Sequence, residues 1–323
     1  MGGDDNDPMD AHLPQGAALE GAVRLDGWGL IVAQGPDAGA FLHGQLTQDM
    51  AGMPIGQARL AGYCSAKGRL LASFVVLRVA AEEWWLACSA DLLGPTLKRL
   101  SMFVLRAKCK LADASATHAL WGVAGSAVDA ASAGHVPALA WAAVQAGEAW
   151  VVRLPDAASQ ARALVVQPGH AAAPAGEPLS ASAWEWLEVC SAVPRITAAT
   201  VEQFVPQMIN LELVGGVNFQ KGCYPGQEVV ARSQYRGTLK RRAYLYEADA
   251  PARPGDTLVA ADDPEQPAGL VALAAPVPGR ESGWLVLAET KIAAAEGSTL
   301  HLGAAGGPVL RRIALPYPLP AAG

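Results

Sequence analysis

The residues best able to do chemistry lie together in Asn218-Phe219-Gln220-Lys221-Gly222-Cys223-Tyr224-Pro225-Gly226-Gln227-Glu228-Val229-Val230-Ala231-Arg232. Gly222 and Gly226 flank a cysteine, and glycine opens backbone conformations that side chains forbid. Pro225-Gly226 marks a turn, and Gln227 to Arg232 can begin a helix. A thiol before a helix, with Lys221 two residues away, sits in a positive field. Such a field favours the thiolate, the form that attacks electrophiles and binds metals. Two readings stand. Cys223 is a reactive or metal-contacting thiol assisted by Lys221, or it is a small residue filling a tight turn.

The other chemistry-bearing residues are more dispersed. The five cysteines, Cys64, Cys88, Cys109, Cys190 and Cys223, form no CxxC pair. A disulfide scaffold and a four-cysteine zinc site are therefore not expected. The histidines are scattered, and His43, on a helical stretch, reads as structural. No sequence-local metal site can be assembled. Arg232, Arg236, Lys240, Arg241 and Arg242 form a basic cluster. It could meet a polyglutamate tail, a phosphate backbone or an acidic partner, or it could be a solvated face. The formal net charge of the chain is −6. That excludes the overall basic character of a general nucleic-acid binder, and direct RNA binding is not expected.

Elements must position these groups. The 323 residues suffice for two or three domains. An acidic lead-in, residues 1–18, reads as disordered. Val23 to Ala33 reads as strands around a turn. Pro36-Asp37 opens a helical pattern through Phe41, Leu42, Leu46 and Met50. Leu70 to Ala80 reads as a long buried strand with Glu83 to Cys88 as its hairpin partner, followed by a helix over Leu92 to Leu105 and a strand over Lys108 to Asp113. Short apolar runs at Ala119–Gly125, Trp141–Val144, Ala149–Leu154 and Ala163–Gln167 suggest a second α+β unit. A helix over Ser182 to Cys190 closes it, with Ser180 or Ser182 as N-cap. Beyond Arg242, five short β-like runs with Pro/Gly turns suggest a terminal β-barrel. There is no internal repeat and no run long enough to span a membrane. The expectation is a cytoplasmic protein.

Lys221 to Glu228, Lys-Gly-Cys-Tyr-x-Gly-Gln-Glu, resembles the signature of the YgfZ folate-binding family. The resemblance continues through Val230-Ala231-Arg232, Arg236-Gly237 and Lys240-Arg241. Upstream, Phe204-Val205-Pro206-Gln207, Asn210-Leu211 and Gly215-Gly216-Val217 also match. So do Phe41-Leu42-His43-Gly44-Gln45-Leu46-Thr47-Gln48-Asp49 and Lys67-Gly68-Arg69. The match spans about Leu25 to Pro318.

This resemblance implies an α+β, aminomethyltransferase (T-protein)-like multidomain fold with ferredoxin-like α+β units and a C-terminal β-barrel around a folate pocket. Residues 19–115 would form the first α+β domain, completed by 195–242. Residues 116–194 would form the second and 243–318 the barrel. The implied cofactor is tetrahydrofolate or a derivative. The implied partners are folate and iron–sulfur enzymes or their assembly machinery, with a link to tRNA thiomodification. Trp28 and Trp184 match family folate contacts, and an aromatic face suits a flat pteridine. Arg195 could meet a folate carboxylate. Gln207 and Asn210 are candidate partners for the pterin edge.

One departure matters. T-proteins carry an Asp pair, one member of which is the catalytic group, where this chain has Ala72 and Ser73. Neither residue relays a proton as a carboxylate does, so aminomethyl transfer is not expected. Three functions compete: a folate-dependent accessory factor for iron–sulfur enzymes, a one-carbon transferase using Asp49 or Glu228 instead, and a folate store.

Overall fold

The computed structural model describes residues 19–235 and 239–320. The lead-in 1–18 and Arg236 fall outside the described residues. Three β-structures form the frame. The first sheet contains β2 (Trp28–Gln34), β3 (Ala58–Cys64), β4 (Leu70–Ala80), β5 (Glu83–Ser89) and β6 (Lys110–Asp113), in the order β3-β4-β5-β2-β6. The second contains β1 (Gly21–Arg24), β7 (His118–Ala124), β8 (Ala143–Ala146), β9 (Ala149–Ala157) and β10 (Gln160–Pro168), in the order β1-β7-β10-β9-β8. The turn after β1 thus sends neighbouring strands into different sheets. The last six strands close into a barrel: β11 (Arg241–Ala248), β12 (Thr257–Ala260), β13 (Asp263–Pro276), β14 (Trp284–Lys291), β15 (Leu300–Leu302) and β16 (Val309–Ile313). A closed barrel leaves no edge strand to aggregate.

Strand β4 shows why the first sheet holds. Its two-residue alternation sends Val75 and Leu77 into one core and Ala72, Phe74 and Val76 into another. A strand buried on both faces reads as a continuous apolar run, as Leu70 to Ala80 does. The cover of the second face comes from α1 (Ala38–Gln45) and α2 (Ala90–Val104), through residues such as Leu42 and Leu100.

Helix α4 (Ala181–Cys190) is the hub. Its start matches the expectation, because the Ser180 hydroxyl accepts from the Ala183 amide at 3.1 Å. Trp184, Trp186, Leu187 and Cys190 are all buried in the largest core, together with Leu30 and Val75 of the first sheet, Leu164 of the second and Leu285 and Leu287 of the barrel. Fully burying each such side chain contributes roughly 1.5–3 kcal/mol.

Some sequence expectations need correction. The helical pattern drawn through Met50 stops at Gln45, where Leu46 turns extended and bridges to Tyr63. Hydrogen bonding explains the stop, since the Thr47 amide donates to Gly62 O at 2.9 Å instead of continuing the helix. Strand β3 escaped the sequence reading because its core is rich in Ala and Gly rather than β-branched residues. Strand β16 and the short helices α3 (Ala127–Ala131) and α6 (Ile292–Gly297) escaped it as well.

Candidate functional site

The thiol segment is assembled from three distant stretches of chain. Thr47 is the fastener. Its hydroxyl donates to Gly216 O at 2.6 Å and accepts from the Gly62 amide at 2.7 Å, while the Asn218 amide donates to Thr47 O at 2.9 Å. Gln48 adds a bond to Gly215 O at 2.6 Å. The stretch leading to Cys223 is thereby pinned beside the end of α1. Gly226, at φ +79°, packs onto the turn at Gly68, and a Cβ there would stand 2.6 Å from Gly68 N. Helix α5 (Gln227–Tyr235) follows.

Lys221 caps α1. Its ammonium donates to the carbonyls of His43 and, at 3.0 Å, of Leu46, two groups that lack partners at a helix end. It also lies 4.8 Å from the centre of the Tyr224 ring. Burial pushes the Lys221 amine down to about 8, against the pull of Asp49 and Cys223. Beside it, Asp49 Oδ1 lies 2.9 Å from His43 Nδ1. Burial alone would raise Asp49. The Gly52 amide, Arg59, the Ala51 amide and His43 together hold it below the usual carboxylate range. Cys223 itself is exposed. Cys64 and Cys88 are buried and their thiols are pushed up to about 12. Helix α5 begins at Gln227, four residues beyond Cys223, as the sequence implied.

A second locus is a narrow cavity lined by Trp28, Ser73, Arg162, Glu188, Ser191 and Arg195, with Trp141 and Pro194 among its further walls. The cavity is small, about 40 Å³. The Arg195 guanidinium stands 5.0 Å from the centre of the Trp28 ring. It donates to Ser89 Oγ at 3.1 Å and Glu188 Oε2 at 3.3 Å, while its Nε is buried without a partner. Ser73 Oγ accepts from the Ile196 amide at 2.9 Å. Trp28 and Arg195, far apart in sequence, therefore meet in one wall.

Other candidates are placed elsewhere. Trp184 is only 2% exposed and does not line this cavity. Its ring lies flat on Gly122, where a Cβ would stand 2.5 Å away, and Arg162 separates it from the cavity, 5.4 Å from its ring centre. Gln207 and Asn210 are fully buried. Gln207 donates to Val230 O and Asn210 to Ala243 O, each at 2.8 Å. These amides tie the short 3-10 helix Pro206–Ile209 to α5 and β11.

The basic cluster also breaks up. Arg242 is buried and paired with Glu212, and Arg241 pairs with Glu289 at 2.7 Å. Burial pushes both carboxylates up against the pull of their arginines. Arg232 and Lys240 remain exposed. Within the motif, Tyr224 is buried, Gln227 Nε2 donates to Gly222 O at 3.4 Å, and Glu228 is exposed. Sequence reasoning missed Glu188, Arg162 and Ser191. They are spread over two elements and carry no local motif. It also missed the His43–Asp49 pair, whose spacing of six residues is not a helical one.

No family model matches the chain. It is 34% identical over 247 residues to the tRNA-modifying protein YgfZ of Edwardsiella ictaluri, covering 72% of each chain. To that of Photorhabdus laumondii it is 36% identical over 247 residues, covering 73% of this chain and 74% of the relative. In structure it is similar to the glycine cleavage system aminomethyltransferase T of Bartonella henselae, with a TM-score of 0.64, 16% identity, and coverage of 92% of this chain and 86% of that one. That likeness shows the fold. No helix among the described residues is long and apolar enough to cross a membrane. With its thiol motif, its aminomethyltransferase-like fold and its relatives agreeing, the chain belongs to the YgfZ family.

Proposed function

We propose that this protein is a tetrahydrofolate-binding accessory factor supporting the assembly, repair or maintenance of iron–sulfur enzymes, including those of tRNA thiomodification, and that it is not an aminomethyltransferase. The observation that carries the reading is the cavity at Trp28. An aromatic face, a carboxylate at Glu188 and the unpartnered Nε of Arg195 converge there. A pterin is flat and carries both donors and acceptors on its edge, so these groups fit it. In this reading the ring displaces the Arg195 guanidinium from the Trp28 face, and Glu188 faces the ring's N–H edge.

A bound tetrahydrofolate would supply nitrogens able to carry a one-carbon unit. Converting such a unit needs a group that holds or moves a proton. Where T-proteins carry the acidic pair, this chain has Ala72, which turns into the opposite core, and the Ser73 hydroxyl, which already accepts from Ile196 N–H, while Glu188, the carboxylate of the cavity, is engaged by Arg195. This supports a retained pocket with the transfer chemistry lost. Asp49, the substitute carboxylate, is engaged by His43, Arg59 and two backbone amides.

The test is a tetrahydrofolate titration followed by tryptophan fluorescence. Saturable quenching, weakened in Trp28→Phe, is expected. An absence of binding at millimolar ligand would overturn the reading. A simple folate store is distinguished by Cys223→Ala, which should leave a store intact and abolish support of iron–sulfur enzymes in cells.

A further inference from the structure

The loop that carries the motif's thiol has a neighbour that the motif does not contain. His43 lies in the last turn of α1, and its ring is three-quarters buried beside the loop that carries Cys223. A methyl group placed on Gly222, the residue before the thiol, would stand 3.3 Å from His43 Nε2. The ring's other nitrogen is 2.9 Å from Asp49 Oδ1. A carboxylate held in its ionised form only accepts hydrogen bonds. The contact therefore requires a proton on Nδ1, which leaves the lone pair on Nε2. The backbone amides of Met50 and Ala51 also approach Nδ1, at the longer distance of 3.4 Å. Arg59 lies 3.6 Å from the other Asp49 oxygen and fixes the carboxylate in turn. Lys221 spans the same spot from the other side, with its amine on the carbonyls of His43 and Leu46. A carboxylate orients an imidazole, and the free nitrogen of that imidazole faces the loop of an exposed thiol. Nucleophilic thiol sites are built in this order.

We infer that His43, oriented by Asp49, is the proton acceptor that activates Cys223 toward electrophiles. Nε2 takes the proton from Sγ–H, giving a thiolate beside an imidazolium, and Asp49 balances the imidazolium through Nδ1–H. With an alkylating reagent, the thiolate forms the S–C bond, the halide leaves, and the proton stays on the ring until solvent removes it. The inference rests on the reading of Cys223 as a functional thiol. It is independent of folate, because the Trp28 cavity does not include these residues.

The experiment is alkylation of the full-length protein by iodoacetamide at neutral pH, with the rate read on the Cys223 peptide by mass spectrometry. The other four cysteines are buried or half-buried and serve as internal references. His43→Asn keeps a donor toward Asp49 and removes the base. It should slow Cys223 alkylation by about tenfold to a hundredfold, and added imidazole should restore much of the rate. Asp49→Asn should slow it less and flatten its pH profile. Alkylation at the wild-type rate in both variants would overturn the inference. So would a loss in His43→Asn that imidazole fails to restore and that accompanies a lowered melting temperature, because a purely structural histidine behaves that way. Loss of folate binding with normal thiol activation would instead overturn the folate reading alone.

Discussion

The guanidinium of Arg195 covers the face of Trp28 at 5.0 Å while its own Nε finds no partner. A cation over an aromatic face contributes about 0.5–2 kcal/mol, and a flat ligand must give a comparable return to replace it. Replacing Trp28 with Leu removes the stacking face. Tetrahydrofolate affinity should fall about tenfold, as isothermal titration would measure, with little change in melting temperature because the ring is only half-buried.

Trp184 should behave in the opposite way. It packs on Gly122 inside the core and is screened from the cavity by Arg162. Trp184→Phe should cost about 1–3 kcal/mol in urea denaturation and leave the folate dissociation constant unchanged. A selective loss of affinity would place Trp184 in the pocket after all.

Arg242 and Glu212 form a buried pair beneath the 3-10 helix. Arg242→Met strands the carboxylate, and the expected loss is about 3–5 kcal/mol. Adding Glu212→Gln to that variant should recover part of it. Equal stability of the two variants in chemical denaturation would mean that the pair is not coupled.

The amine of Lys221 is pushed from its ordinary 10.5 down to about 8 by burial. Between those values the unfolded chain holds a proton that the folded chain has released, so this lysine makes stability rise with pH. Below about 8 both states are charged and the burial cost is fully present. Lys221→Met should therefore raise the melting temperature relative to wild type more at pH 7 than at pH 10, apart from the loss of its two carbonyl bonds. A constant difference across that range would refute the shift.

Gly226 sits at φ +79° against the Gly68 turn. Gly226→Ala adds both left-handed strain and a backbone clash. It should cost about 2–4 kcal/mol and expose the motif loop to limited proteolysis. Wild-type resistance would show that the turn can relax.

The sequence by itself determined the elements whose signal is local. Leu70 to Ala80 announces a strand buried on both faces, Ser180 announces the start of α4, and the spaced β-runs after Arg242 announce a barrel. It also marked Cys223, because a thiol between glycines beside a lysine is legible without any partner. Tertiary structure alone decided which polar residues are spent on the fold. Gln207, Asn210, Arg241 and Arg242 look like ligand-binding groups in a string of letters. Burial turns Gln207, Asn210 and Arg242 into hydrogen-bonded clamps, because a polar group taken out of water must find a partner nearby, and Arg241 is taken up by the buried Glu289. Only the folded chain brings Trp28 against Arg195, or His43 against the loop of Cys223, since each contact joins stretches more than 160 residues apart. Periodicity reports which face of an element is buried, but it does not report what that face meets.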